Sequence, residues 1–222
     1  MSYKHVIFDL DGTLLDTIPD LLYNLNRTFS ELGLPGKFSE AEMATFLGSG
    51  KDEQIRRALT ARHLNHDKYF AKVNALLSVY YVQNNHNHTQ IFKGIPETLD
   101  YLKKRGIELY VATNKPDHVA KEVVKHFFGD DIFARVRGDK GDGIIKPNPK
   151  FLNAITKNIS DPLDTILFVG DSNVDYLSAK NAGVMCAIVP HGYDHKVLTI
   201  KEKGIIFLKK VSDIHDLIAV NN

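Results

Sequence analysis

Two carboxylates stand two residues apart in Phe8-Asp9-Leu10-Asp11-Gly12-Thr13, directly after the apolar run Val6-Ile7-Phe8. Leaving an apolar segment, such a pair is costly to desolvate unless a cation or hydrogen-bond donors face it. Taken alone, the pair also reads as a capping turn. A Ca²⁺ loop is excluded, because counting from Asp9 puts Leu14 where that loop needs Gly and Asp20 where it needs Glu. A second acidic cluster, Gly170-Asp171-Ser172-Asn173-Val174-Asp175, follows the apolar run Ile166-Leu167-Phe168-Val169. If the two runs are neighbouring strands of one parallel sheet, Asp9, Asp11, Asp171 and Asp175 converge on one edge and require a cation between them. Hard oxygen ligands in small number, with positions left for water and a phosphate oxygen, suit Mg²⁺ better than Zn²⁺. Thr113 and Asn114 end the run Leu109 to Ala112, and Lys146 lies between Ile144-Ile145 and Pro147-Asn148-Pro149. Singly, such a Thr is a turn residue and such a Lys is solvated. In the order acid pair, Thr, Lys, acid pair they read as one anion site.

The elements that must position these groups are short and apolar. Besides Val6 to Phe8, the runs are Ile107 to Ala112, Ile132 to Val136, Thr165 to Val169, Val184 to Val189 and a weaker Gly204 to Leu208. None alternates with polar residues, which suits strands buried on both faces of a parallel sheet. Helical patterns lie between them: one from Pro96 to Gly106, one capped by Asp117 and running towards Gly129, one capped by Ser172 and ending at Gly183. The alternation predicts an α/β, doubly wound, Rossmann-like parallel sheet with its site beyond the carboxyl ends of the strands.

Residues 16–85 break this rhythm. Ile18, Leu21, Leu22, Leu25, Phe29 and Leu32 share one helical face before Gly33. Ser39 with Glu42 forms a capping box, and Phe38 with Met43 its staple. Two further helices are expected near Asp52 to His63 and Asp67 to Val82. We read residues 16–85 as an inserted all-helical cap domain, and residues 1–15 with 86–222 as the catalytic core. The run Gln83 to His88 reads as a solvated return hinge rather than a metal site, since its histidines have no Cys or carboxylate neighbour.

With 28 Lys and Arg against 27 Asp and Glu, the formal charge of +1 offers no field for nucleic acid or an anionic membrane, and a basic, aromatic stripe is missing. The single Cys186 lies in an apolar stretch and reads as a buried small residue. No segment matches the length of a membrane span, and no apolar run suits a signal peptide, so a cytoplasmic protein is expected.

In these motifs the chain resembles the haloacid dehalogenase superfamily. The resemblance is carried by FDLDGT, VATN, Lys146 before PNP, and GDSNVD, covers essentially the whole length, and includes a C1-type helical cap. LGSG (Leu47 to Gly50), TNKP (Thr113 to Pro116) and HGY (His191 to Tyr193) look most like the phosphoglycolate phosphatase branch. The resemblance implies Asp9 as nucleophile and Asp11 as general acid and base. It makes Thr113 and Lys146 holders of the phosphoryl oxygens and Asp171 the second side-chain ligand of Mg²⁺. The Asp11 carbonyl would be a further ligand and Asp175 a supporting or occasional one. Main-chain N–H groups near Leu10 and Asn114 would complete the cradle.

Asp11 separates two reactions within that family. Expelling a halide needs no proton, whereas cleaving a phosphate ester does, so a phosphatase is expected over a dehalogenase. The expected partner is a small phosphorylated metabolite, 2-phosphoglycolate first, on a monomer or homodimer. In the cap, Gly48-Ser49-Gly50-Lys51 precedes a helix with Arg56 and Arg57 and is a candidate to bind a substrate carboxylate; a helix cap with an exposed Lys is the plain alternative. Other readings are a phosphatase for another small ester or pyrophosphate, a sugar phosphate mutase, and an anion-binding regulatory protein on the same fold.

Overall fold

The computed structural model describes residues 3–219. In chain order the elements are β1 (His5–Phe8), β2 (Leu15–Asp16), α1 (Ile18–Glu31), α2 (Glu40–Phe46), α3 (Lys51–Ala61), α4 (His66–Gln83), β3 (Gln90–Ile91), α5 (Ile95–Lys104) and β4 (Glu108–Pro116). They continue with α6 (Asp117–Phe128), β5 (Arg135–Asp139), α7 (Pro149–Thr156), β6 (Ile166–Gly170), α8 (Asn173–Ala182), β7 (Met185–Ile188), β8 (Ile205–Phe207) and α9 (Ile214–Ala219).

Six strands form one parallel sheet in the order β5-β4-β1-β6-β7-β8. The fold is therefore the expected α/β, Rossmann-like one. Alternate residues of each strand face opposite sides. Val6, Phe8, Leu109, Val111, Leu167 and Val169 bury one face against residues of α5, α6 and α9. Ile7, Tyr110, Ala112, Phe168 and Cys186 bury the other against α7 and α8. This two-sided burial is why the strands read as continuous apolar runs. Cys186 is buried, and burial raises its thiol well above the usual range.

Helices α1 to α4 enclose a separate apolar cluster that includes Leu25, Phe29, Met43, Ile55, Leu59 and Leu77. The Ser39 and Glu42 capping box is formed at the start of α2. The helical block joins the rest through a two-stranded antiparallel pair, with Leu15 opposite Ile91 and Asp16 opposite Gln90. Among the described residues no helix is long and apolar enough to cross a membrane.

Three local expectations need correction. β4 does not stop at Ala112 but runs through Thr113, Asn114 and Lys115 to Pro116. Asp117 does not cap α6, because Pro116 occupies that position and Asp117 Oδ1 accepts from the Gly138 N–H at 2.9 Å. The return segment is solvated at Gln83, Asn87 and His88 but is anchored rather than free. Asn85 is buried, His86 stacks on His126 at 3.9 Å, and the N–H groups of His88 and Thr89 bind the buried carboxylate of Asp20 at 2.8–3.0 Å. An unpaired carboxylate in α1 would be expensive to bury, and those donors remove the cost.

Candidate active site

β1 lies between β4 and β6, where the strand order turns back on itself, so the segments after these strands line one crevice. Phe8 pairs in register with Val111 and Val169, which brings Asp9 beside the Thr113 and Asp171 segments. Asp9, Asp171 and Asp175 each offer an oxygen within 4.8 Å of the others.

Lys146 enters this group from the loop before α7. Its ammonium is 2.8 Å from Asp9 Oδ1 and hydrogen-bonds Asp175 Oδ1 at 2.7 Å. The Lys146 contact with Asp9 Oδ1 is a close ion pair, less well aligned than its hydrogen bond to Asp175. Asp171 accepts from Thr13 Oγ1 at 3.1 Å and from the Tyr193 N–H at 2.8 Å. Asp175 is fully committed: its second oxygen accepts from Asp171 N–H, Ser172 N–H and Ser172 Oγ, closing the capping box of α8. Gly192 packs so closely on Asp171, and Gly170 on Asp175, that a Cβ at either position would collide with the carboxylate side chain.

The four carboxylates do not all converge. Asp11 turns away from the other three, because Lys115 holds it at 3.0 and 3.3 Å through both oxygens. Lys115 escaped the sequence reading. Its one signal was its place directly after Thr113 and Asn114; alternation could not assign it, because the register of β4 shifts between Ala112 and Pro116 and all three residues line the same cavity. Thr113 is buried, and its Oγ1 accepts the Lys115 N–H. The Asn114 side chain is saturated. Its Nδ2 donates to the carbonyls of Gly48 and Lys146, each at 3.0 Å, and its Oδ1 accepts the Lys146 N–H at 2.8 Å.

The helical block covers the crevice and leaves a cavity of about 660 Å³ reaching from Asp9, Asp11 and Asp171 to the turn Gly48-Ser49-Gly50. Arg57 braces that turn, donating to the carbonyls of Thr45 and Leu47 and to Ser49 Oγ. Lys51 lines the cavity, but its ammonium is bonded to Ser78 Oγ of α4, and burial lowers its pKa. Tyr193, also missed as a site residue, reaches the first connection to the helical block: its hydroxyl donates to Asp16 and accepts the Thr17 N–H.

Three buried carboxylates against one buried ammonium leave surplus negative charge at the floor of the cavity. Burial is the largest influence on Asp9, pushing it up to about 7 against the opposing pull of Lys146. Burial likewise raises Asp171, with Asp175 and Asp9 adding to it. A divalent cation among these hard oxygen donors would remove that penalty, so the donor set fits one.

The chain matches the family model described as "Haloacid dehalogenase-like hydrolase" over residues 6–189. Phosphoglycolate phosphatase of Mannheimia succiniciproducens is 34% identical to it over 202 residues, 88% of this chain and 89% of that one. The enzyme of that name from Vibrio parahaemolyticus is 31% identical over 98% of this chain and 97% of its own length. The crystal structure of a predicted phosphoglycolate phosphatase from Haemophilus somnus aligns with a TM-score of 0.88 at 30% identity, covering 98% of each chain.

Proposed function

Since the chain belongs to the haloacid dehalogenase-like hydrolase family and is a phosphatase within it, we propose that it hydrolyses 2-phosphoglycolate to glycolate and phosphate with Mg²⁺, through an aspartyl phosphate on Asp9. The observation that carries this reading is the meeting of Asp9, Asp171 and Asp175 within 4.8 Å, with the Lys146 ammonium against two of them.

Asp9 attacks phosphorus in line, and Lys146 offsets the repulsion between the carboxylate and the phosphate dianion. Lys146 and the Thr113 hydroxyl hold the transferring phosphoryl oxygens, together with main-chain N–H groups near Leu10 and Asn114. Asp11 gives its proton to the departing alkoxide and later takes one from the water that hydrolyses the aspartyl phosphate. Asp9 and Asp171, with the Asp11 carbonyl, would hold Mg²⁺, and Asp175 supports them through Lys146 and the α8 turn. When bound, the ion supplies charge neutralisation at the phosphoryl group. Residues 16–85 act as the cap, whose Gly48 to Lys51 segment closes over the substrate and excludes bulk water during the first step.

Release of inorganic phosphate from a panel of small phosphate esters, with Mg²⁺ and with chelator, tests the proposal. 2-Phosphoglycolate is expected among the better substrates, with turnover lost in chelator and in Asp9→Asn. Undiminished turnover by Asp9→Asn overturns it.

A further inference from the structure

Most cations around the cavity already have partners. Lys146 is held by Asp9 and Asp175, Arg57 by Glu53 and the turn it braces, and Lys51 by Ser78, while Lys196 is solvent-exposed. Lys51, with Ser78 as its one partner among the described residues, is only partly buried, whereas Lys115 differs in its depth and in having Asp11 as its partner. Its side chain is 2% exposed, yet among the described residues its ammonium is bonded to Asp11 alone. An ammonium has three N–H donors, and two contacts to Asp11 leave one without a protein acceptor. Because Lys115 lines the cavity, that donor can be met by a ligand there.

The position of Asp11 says which part of a ligand this would be. A group that protonates the leaving oxygen must come within about 2.6–3.2 Å of it. Lys115 Nζ is 3.0 Å from Asp11 Oδ1, which places the ammonium within about 6 Å of the ester oxygen. A carboxylate joined to that oxygen through one methylene spans this distance. The Lys51 ammonium, turned to Ser78 in α4, has no such relation to Asp11.

We propose that Lys115 is a specificity-determining residue that pairs with the carboxylate of an ester of the phosphoglycolate type while holding Asp11 beside the ester oxygen. This rests on the phosphoglycolate reading above. Substrates of this class carry an anionic carbon next to the ester; an ester lacking it meets a buried ammonium with an unmet donor, which disfavours it.

The test compares kcat/KM for 2-phosphoglycolate with that for ethyl phosphate, in which a methyl replaces the carboxylate, for the full-length protein and Lys115→Met. Wild type should prefer 2-phosphoglycolate, and Lys115→Met should slow both esters while cutting that preference about 10- to 100-fold. Lys115→Gln gives the same readout with an amide that still donates to Asp11, so poor folding of Lys115→Met does not decide the matter. Lys115→Arg keeps the charge and should retain the preference. A wild-type preference that both neutral variants leave intact, or one that falls in Lys51→Met instead, overturns the role of Lys115 alone. A wild type without the preference overturns the phosphoglycolate reading and this assignment together.

Discussion

The ammonium of Lys146 donates to Asp175 Oδ1 at 2.7 Å, on a carboxylate whose other oxygen closes the capping box of α8. One buried side chain thus aims the lysine and caps the helix that begins within the second acidic cluster. Asp175→Asn keeps the shape but removes the charge, and a broken buried pair costs about 3–5 kcal/mol. Denaturant unfolding should show a loss of that order, with phosphate release down about 10- to 100-fold. Unchanged stability would contradict the double role.

Gly192 leaves no room for a side chain against Asp171. Gly192→Ala should therefore displace a proposed Mg²⁺ ligand without touching a charge. The Mg²⁺ concentration for half-maximal activity is expected to rise about tenfold, and calorimetric titration of Mg²⁺ into the protein should weaken in parallel.

Asn114 joins the Gly48 carbonyl of the helical block to the main chain of Lys146. Asn114→Asp keeps the acceptor for the Lys146 N–H but turns an oxygen towards two carbonyls. The Gly48 turn should lift, raising KM about tenfold, as expected for loss of roughly one hydrogen bond per contact. A fall in kcat at constant KM would locate the contribution at Lys146 instead.

Acid should loosen the helical block at Glu42. The Arg62 guanidinium, followed by the Ser39 N–H, holds its carboxyl down at about 2, against an ordinary 4.5. A carboxyl depressed in the folded state stabilises that state above its unfolded pKa, and the contribution is lost as pH falls from about 4.5 towards 2. Thermal melts of wild type and Glu42→Gln should differ at pH 7 and converge through this window. Glu42 is partly exposed, so the difference should be small and reduced by salt.

The strands were legible because burial on both faces leaves unbroken apolar runs, and the acids stood out because they end such runs. Ser172 and Ser39 were legible as caps because a cap is a local device. What escaped depends on partners far along the chain. Nothing near Asp11 says that its carboxylate turns to Lys115, since that contact exists only once β4 lies beside β1 and continues past Ala112. Nothing near His88 says that its N–H meets Asp20 across the block, so a polar stretch read as a free hinge is tied down by its main chain while Gln83, Asn87 and His88 keep their side chains in solvent. Asp175 does join Asp9 and Asp171, but its sequence spacing cannot reveal that four donors already occupy its two oxygens.

The paired strands Leu15–Asp16 and Gln90–Ile91, with Asp20 gripping His88 and Thr89 just beyond them, stitch the outgoing and incoming crossings together. Any graft that exchanges the helices with those of a relative must therefore cut ahead of Leu15 and past Ile91. Splicing inside that seam would strand a carboxylate in α1 and sever its matching amides, leaving a chimera whose two junctions no longer recognise each other.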